Sequence, residues 1–365
     1  MVNDMGEYID SQQSVLNNII ENELVKIERC ADGIDLDNIE KILLIGSGTS
    51  YNVGIAVKNI FEHLLKKEVL VEYPFPLRKY SSLLDGKDKK STLAIAISQS
   101  GKSTGTIECI EKSKNAGMKT ACLTSNIDSE ISKKVDFVIP VMCGDEKVGP
   151  KTKGYTATLL TLQVLALYLS RKAGLVSENW YNCYLGQIKS AISNMNKIIK
   201  ESHDWFNKNI DWNKAASIFI VGYGPNMGTA LEGGLKLLET FRRPVLSYDI
   251  EEYIHGPYNA LGVDTHIIFI DSMGSGSNMM KKLVPFVEGI TNHYLVISFD
   301  SDDYLDEHRI NIPRCDEYIS PIVCILPFQV IACEIAKSIG IDPGIPRYTN
   351  FHDLMGSKKG LVDFN

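Results

Sequence analysis

The sequence contains one pattern twice, and this repetition limits the folds that are open to it. Lys41–Gly48 is an apolar run that ends in two glycines, and Ser217–Gly224 is a second run of the same kind. Each run is followed by a segment with apolar residues at helical spacing, over 51–66 and 227–241. Two further apolar strands follow in the same order in each copy, Leu93–Ser98 and Thr120–Thr124 in the first, His266–Asp271 and Tyr294–Ser298 in the second. This order, at nearly constant separation along the chain, predicts an internal duplication.

The strands of both copies are uninterrupted apolar runs. Such strands are buried on both faces, as in a parallel sheet covered by helices. We therefore predict an α/β protein with two tandem, doubly wound parallel-sheet domains, whose ligands bind beyond the carboxyl ends of the strands. The predicted parts are an N-terminal helical segment over 1–37, a first sheet domain over 38–176, a helical connector over 177–209, a second sheet domain over 210–345 and a C-terminal tail over 346–365.

Composition and charge exclude several classes of partner. Lys and Arg number 38 and Asp and Glu number 45, which gives a net charge of −7 without a dense basic block, so no nucleic-acid-binding surface is expected. The eight cysteines are scattered without CxxC pairs, and the amino terminus is acidic rather than apolar. The longest uncharged stretch, 154–170, is short for a bilayer span. We expect a reduced, cytoplasmic protein with no membrane segment and a buried helix over 154–170.

Two segments of the sequence nearly match known phosphate-binding motifs, but neither match is complete. The GSG run at 46–48 would begin a dinucleotide fingerprint if residue 51 were glycine, but Tyr51 would block the close approach of helix and strand. The GKS run at 101–103 resembles the end of a P-loop, whose first glycine would fall at Ala96 inside a strand. A nucleotide role is therefore not expected.

Two hydroxyl-rich turns follow strands of the first copy, at 47–50 and 98–104. Backbone N–H groups at a helix start, together with clustered hydroxyls, can surround a phosphate monoester without a strongly positive site. The alternative is that these hydroxyls only cap helices. Two such turns on one sheet favour phosphate binding. The second copy has Asp271 at the corresponding place, and its carboxylate would repel a phosphate.

The two turns resemble those of the sugar-isomerase (SIS) family. GSGTSY at 46–51 and ISQSGKST at 97–104 carry the resemblance, which extends through both copies. It is strongest for the isomerase half of glutamine–fructose-6-phosphate transaminase and for fructosamine-6-phosphate deglycases. It implies flavodoxin-like SIS domains and a small-molecule sugar phosphate as ligand, and we expect neither a cofactor nor a metal ion. The expected phosphate-binding residues are Ser50, Ser98, Gln99, Ser100 and Ser103 by resemblance, with Gly48 and Thr49 from the first turn.

The second copy contains a helix with three charged residues on one face. Glu232, Lys236 and Glu239 are spaced i, i+4 and i+7 beside a stripe of leucines. On an isolated helix such a face is usually a solvated ion pair. The run EEYIHGP follows at 251–257, and both segments resemble the SIS isomerases in order and spacing. The resemblance implies that Glu239 moves a proton between C1 and C2, that His255 opens the sugar ring, and that Lys236 assists electrostatically.

The same resemblance implies further contacts. Glu232 is a candidate substrate contact, and a lysine of the C-terminal tail, Lys358 or Lys359, is a candidate to cover the open-chain sugar. In the family the histidine comes from the neighbouring subunit. A homodimer or a dimer of dimers with active sites shared between subunits is therefore expected.

Three functions remain open from the sequence. The first is a deglycase that hydrolyses a fructosamine- or glucosamine-type 6-phosphate. It is favoured because the family's transaminase draws ammonia from an N-terminal glutaminase domain, and the residues before Lys41 are too few for an ordinary domain. The second is an aminosugar-phosphate isomerase or deaminase that uses free ammonia. The third is a non-catalytic sugar-phosphate sensor, which the intact acid–base residues and the lack of an evident helix-turn-helix disfavour.

Overall fold

The computed structural model describes residues 4–299 and 306–358, where ten strands form two five-stranded sheets with only parallel pairings. The first sheet contains β1 (Lys41–Ile45), β2 (Glu68–Glu72), β3 (Thr92–Ile97), β4 (Lys119–Thr124) and β5 (Phe137–Pro140). The second contains β6 (Ile218–Gly222), β7 (Val245–Asp249), β8 (His266–Asp271), β9 (Tyr294–Phe299) and β10 (Arg309–Ile312). Every residue of β3, β8 and β9 is buried, as the uninterrupted apolar runs predict.

Helices connect the strands, and the predicted helices over 51–66 and 227–241 are α4 and α10. A π-helical turn, Ile19–Glu23, joins α2 to α3. The α-helices of the described residues are α1 (Met5–Asp10), α2 (Gln12–Asn18), α3 (Leu24–Ala31), α4 (Thr49–Leu65), α5 (Pro74–Lys79), α6 (Thr104–Asn115), α7 (Lys153–Lys172), α8 (Glu178–Ser193), α9 (Met195–Lys208), α10 (Asn226–Phe241), α11 (Ile250–Tyr253), α12 (Ser277–Glu288), α13 (Pro321–Cys324), α14 (Leu326–Ser338) and α15 (Phe351–Leu354).

Both sheets have the same strand order. The first runs β2-β1-β3-β4-β5, and the second, taken from its opposite edge, runs β7-β6-β8-β9-β10. This is the flavodoxin-like order. The predicted fold class, two tandem doubly wound parallel sheets, is therefore confirmed. In such a sheet the order reverses beside the strand that comes first in the chain, and a ligand binds at that point beyond the carboxyl ends.

Each sheet belongs to its own compact unit. The first unit contains Val15–Asp145, Gly154–Leu185 and the C-terminal residues from Pro346. The second unit contains the residues up to Ser14, together with Glu146–Lys153 and Gly186–Ile345. Segments that are distant in the sequence therefore combine within each unit.

Buried amides join three of these segments in the second unit. Gln12 and Gln329 are both fully buried, and Gln12 Nε2 donates to Gln329 Oε1 at 2.7 Å. Gln329 Nε2 in turn donates to the carbonyl of Thr152 at 3.4 Å. Because buried amides are costly when unpaired, these bonds hold the N-terminal helix and the 146–153 segment against α14.

Helix α7 is buried from its first turn to Ser170, as predicted for the uncharged stretch 154–170. The hydroxyls of Thr158 and Thr161 donate to carbonyls four residues earlier, at 2.6 and 2.7 Å, which satisfies them inside the core. Among the residues that the structure describes, one helical stretch, Pro321–Ser338, is long and apolar enough to cross a membrane. Since 83% of that stretch is buried inside the protein, it has the character of a core helix.

Candidate functional site

The carboxyl ends of β1 and β3 lie side by side in the first sheet. Ile45, the last residue of β1, pairs with Ala96 in β3. The turns that follow therefore leave the sheet at the same edge. Seven of the predicted site residues lie on these two turns, namely Gly48, Thr49, Ser50, Ser98, Gln99, Ser100 and Ser103.

Two glycines shape the turn after β1. A Cβ on Gly46 would lie 2.8 Å from the backbone carbonyl carbon of Ser50, so no larger residue fits there without a shift of the backbone. Gly48 has φ of 56°, in the left-handed region, and stands at the N-cap position of α4 without a side chain to cap it. The helix start therefore has no side-chain acceptor at its cap, and an anion at this edge would supply one.

The expectation that Tyr51 prevents a close approach of helix and strand is wrong. The ring of Tyr51 stacks on the ring of Tyr73, with ring centroids 3.6 Å apart. Burial, together with the neighbouring Tyr73, raises the pKa of Tyr51 to about 12. The close approach occurs one turn later, at Gly54, where a Cβ would lie 2.7 Å from Val71 Cγ1. A glycine inside a helical pattern is the sequence signal for this contact.

The backbone of the turn after β3 is held in one shape. Gly101 has φ of 65°, and a Cβ there would collide with the hydroxyl of Ser129. The carbonyl of Gln99 accepts hydrogen bonds from the backbone N–H and the hydroxyl of Ser125, at 2.9 and 2.8 Å. The N–H of Ile131 donates to the carbonyl of Gly101 at 3.2 Å. The turn therefore presents its hydroxyls from a fixed backbone.

Ser103 occupies the N-cap position of α6, but its side chain makes no capping hydrogen bond. Its Oγ accepts a hydrogen bond from Thr106 Oγ1 at 3.0 Å instead. The alternative that the hydroxyls of this turn only cap a helix is therefore wrong for Ser103. Ser100 lies at the exposed tip of the same turn, while Ser98 is buried beneath it.

The C-terminal tail contacts the start of α6. Ser103 and Lys358 form an isolated antiparallel bridge. The N–H of Thr104 donates to the carbonyl of Ser357 at 3.3 Å, and its hydroxyl donates to the carbonyl of Gly356 at 3.1 Å. Lys358 thus lies at the second turn, whereas Lys359 is outside the described residues.

The three charged residues of α10 lie together in the second unit. Lys236 Nζ is 3.3 Å from Glu232 Oε1 and 2.7 Å from Glu239 Oε2. Glu232 and Lys236 are fully buried, whereas the Glu239 side chain keeps 33% of its surface exposed. The alternative of a solvated charged face is wrong, because the charges point inward and Leu238, from the leucine stripe, is 47% exposed.

Two adjacent glycines allow α10 to pack this closely. A Cβ on Gly233 would lie 2.5 Å from Phe328 of α14, and one on Gly234 would lie 2.5 Å from Ser247 Oγ of β7. Ser247 Oγ donates to the carbonyl of Ala230 at 2.7 Å, which fastens the helix to the strand. The charged face is therefore enclosed by close helix–helix and helix–strand contacts.

Lys236 remains an ammonium group in this enclosure. Burial by itself would lower its pKa, but the carboxylates of Glu232 and Glu239 outweigh burial and raise the pKa above its ordinary value. A buried cation between two carboxylates holds both of them in place. The arrangement can therefore fix Glu239, which is partly exposed, in one orientation.

His255 lies on a different element from these charges. It follows α11 beyond the carboxyl end of β7, and its Nε2 is 3.5 Å from Glu251 Oε1. The side chain is 67% exposed. No hydrogen bond or ion pair of the described residues joins His255 to the α10 charges.

The corresponding edge of the second sheet is acidic and filled. Asp271, at the end of β8, is fully buried and accepts hydrogen bonds from Tyr223 Oη at 2.6 Å and Ser277 Oγ at 3.0 Å. Glu317 fills the space beside Gly274, where any Cβ would collide with its carboxylate. Burial, with the charges of Asp316 and Asp271, raises the pKa of Glu317. Glu317 follows β10, and only the folded chain brings it to this edge.

Metal binding has no obvious location in the described part of the chain. No group of three or more His, Cys, Asp or Glu side chains there could hold a metal ion. All eight cysteines are free thiols, and Cys183 is the one that is exposed.

Comparison with known proteins connects this geometry to one family. A family model described as "SIS domain" matches residues 35–168. The chain is 28% identical over 321 residues to the isomerizing glutamine–fructose-6-phosphate aminotransferase of Thermococcus kodakarensis, a match that covers 86% of this chain and 52% of that protein. The chain thus spans about half the length of the curated relatives that it matches.

Solved structures cover the chain almost completely. A "putative phosphosugar isomerase" from Clostridium difficile 630 is 32% identical, with a TM-score of 0.88 over 98% of this chain and 99% of that one. A "putative sugar binding protein" from Salmonella typhimurium LT2 is 26% identical, with a TM-score of 0.78 over 90% of this chain and 98% of that one.

The fixed shape of the turn after β3 can be tested at Gly101. Gly101→Ala should lower the free energy of unfolding by about 1–3 kcal/mol more than Gly86→Ala, because it adds a collision with Ser129. Gly86 is a matched control, since its φ of 89° is also left-handed but nothing lies within 4 Å of its Cβ position. Urea unfolding of both variants measures the difference. Equal losses of unfolding free energy in the two variants would show that the turn can accommodate a methyl group at position 101.

The buried charges of α10 make a second prediction. Lys236→Met should cost about 3–5 kcal/mol of unfolding free energy, because it leaves the carboxylate of Glu232 buried without its cation. Adding Glu232→Gln to that variant should recover a large part of the loss, since the uncompensated charge is then removed. Chemical denaturation of the single and double variants compares them. A single variant as stable as the parent chain would contradict the buried ion pair.

Proposed function

The chain belongs to the SIS (sugar isomerase) family, and from this premise we propose that it is an enzyme that moves a proton between C1 and C2 of a sugar phosphate. The observation that carries the proposal is the buried Lys236, which holds the partly exposed Glu239 at 2.7 Å. A carboxylate fixed in this way is suited to act as a general base and then as a general acid.

The phosphate is proposed to bind at the adjacent turns of the first unit. The first turn ends at the uncapped start of α4, and the second presents Ser100 and Ser103 from a fixed backbone. Hydroxyls and backbone N–H groups are good donors to a phosphate, and they need no basic patch. This agrees with a chain whose net charge is −7.

The proton transfer is proposed to pass through Glu239. Once the sugar is open, Glu239 takes the proton from one carbon and returns it to the next, while the negative charge on the neighbouring oxygens is stabilised by the ammonium of Lys236. Glu232 holds Lys236 from the buried side. His255 is proposed to open the ring, and its exposure fits a group that serves the site of a second subunit in a homodimer.

The finer proposal concerns the substrate. Its leading form is a deglycase that releases an amine from a fructosamine- or glucosamine-type 6-phosphate. The alternative is an aminosugar-phosphate isomerase or deaminase. The name of the Thermococcus relative, an isomerizing aminotransferase acting on fructose 6-phosphate, supports nitrogen chemistry at these carbons in both forms. The third possibility is a non-catalytic sensor of a sugar phosphate. The similar Salmonella protein, which is described as sugar binding, is the comparison that supports it.

The role of Glu239 predicts a specific kinetic result. Glu239→Gln should lower turnover roughly 10²- to 10⁴-fold, because the amide cannot take the proton, while the binding of the sugar phosphate changes little. Glu201→Gln is the matched control, since Glu201 is 34% exposed, faces Lys197 at 3.7 Å and lies on α9. Turnover and the dissociation constant are measured for both variants. Full activity in Glu239→Gln would overturn the assignment.

The choice of substrate can be decided in deuterated water. The protein is incubated with fructose 6-phosphate, glucosamine 6-phosphate and fructoselysine 6-phosphate, and the products are followed by NMR. Release of lysine is the expected outcome for a deglycase. Deuteration of glucosamine 6-phosphate at C2 without lysine release would support the isomerase or deaminase, and saturable binding without either reaction would support the sensor.

A further inference from the structure

The stacked pair of Tyr51 and Tyr73 lies beside the proposed phosphate turns, and the acid–base scheme does not use it. Tyr51 directly follows Ser50 in the first turn of α4. Tyr73 directly follows β2, whose last residue, Glu72, accepts a hydrogen bond at its carbonyl from the N–H of Gly46 at 3.3 Å. The ring planes are inclined by only 15°. Both rings are therefore attached to the edge where the first turn begins.

The residue after Tyr73 connects the pair to the second turn. Pro74 is buried, and a Cβ on Gly105, in the first turn of α6, would lie 3.2 Å from Pro74 Cβ. Cys109 Sγ donates to the carbonyl of Pro74 at 3.3 Å, one turn further along the same helix. Tyr73 thus contacts the start of α4 through Tyr51 and adjoins the start of α6 through Pro74.

Tyr73 keeps an open aromatic face at this position. Tyr51 covers one side of the ring, yet 45% of the Tyr73 surface is exposed. An aromatic face combines a large apolar area with few rotatable bonds, so it contacts a ligand at little cost in conformational entropy. Ligand sites commonly combine such apolar walls with a few polar anchors.

We propose that Tyr73, held flat by Tyr51, is a specificity-determining residue that packs against the C–H face of the sugar carbons next to the phosphate. This inference rests on the proposed function, because it requires the phosphate at the neighbouring turns. The hydroxyls and N–H groups of those turns suit any phosphate. The ring supplies the contact that distinguishes a sugar phosphate from inorganic phosphate.

The test compares two ligands that differ only in the sugar. Tyr73→Ala should weaken the binding of glucose 6-phosphate about 3- to 10-fold, as expected for the loss of one aromatic contact, and leave that of inorganic phosphate nearly unchanged. Tyr73→Phe should bind both ligands as the parent chain does, because it keeps the ring. Tyr80→Ala is the control, since Tyr80 is a tyrosine at the opposite end of α5, is 82% exposed and packs near Phe75. Titration calorimetry measures the affinities, and thermal unfolding checks that each variant is folded. If Tyr73→Ala does not fold, Tyr73→Leu takes its place.

Two outcomes would overturn the inference on Tyr73. Equal weakening of both ligands would show that Tyr73 acts by shaping the turns, and unchanged affinity for glucose 6-phosphate would show that the ring does not contact the sugar. The proposed phosphate site has its own test in a double Ser100→Ala, Ser103→Ala variant. If that variant binds inorganic phosphate as tightly as the parent chain, the phosphate site is wrong and the inference on Tyr73 falls with it. If the double variant binds phosphate more weakly, the phosphate site is supported, and a negative result with the Tyr73 variants then overturns only the role of Tyr73.

Discussion

A buried ammonium group governs the arrangement of the second unit. Lys236 is withdrawn from water, and a charge in that position is tolerated only when opposite charges and good geometry compensate it. Because Glu232 and Glu239 lie on the same helix as Lys236, at i, i+4 and i, i+3 spacing, α10 can bury the ammonium without separating it from its partners. The glycines at 233 and 234 allow this helix to be packed closely, because they let Phe328 and Ser247 approach its backbone. The chemistry proposed for Glu239 thus depends on the close packing of the helix at Gly233 and Gly234.

The proposed function assigns different tasks to the two units. The first unit supplies uncharged donors on two turns whose backbones are fixed by Gly46 and Gly101. The second unit supplies ionised groups in a low-dielectric setting, where each charge has a larger effect than in water. Separating the two functions keeps the carboxylates of the acid–base group on a different sheet from the turns proposed for the phosphate.

Much of the fold could be predicted from the sequence, because the signals are local. Uninterrupted apolar runs identify strands that are buried on both faces, and the glycines after β1 and β6 mark where helices begin. The alternation of strand and helix in both copies predicts parallel sheets, whereas the flavodoxin-like strand order is expected from the resemblance to the SIS family. The seven turn residues could be assigned to one edge for the same reason, since the carboxyl ends of parallel strands share an edge.

The sequence could not predict features that depend on distant contacts. Helical periodicity placed the charges of α10 on one face, but only the packing of α14 shows that this face is the buried one. The contact of Gly54 with Val71 lies outside the dinucleotide fingerprint, whose third glycine would stand at position 51. No local sequence pattern predicts the position of Glu317, because it lies in the loop after β10 and only the folded chain brings it beside Gly274. The contact of Lys358 with Ser103 is equally non-local.

The acidic edge of the second sheet has a consequence for the number of ligands that one chain is expected to bind. Asp271 is buried there and the carboxylate of Glu317 lies beside Gly274, so a phosphate at this edge would meet two acidic side chains. Under the proposed function, phosphate binding is therefore expected at the first sheet alone, with one equivalent of sugar phosphate per chain. On the same proposal, a sigmoidal response to ligand concentration would indicate coupling between chains and not between the two sheets of one chain.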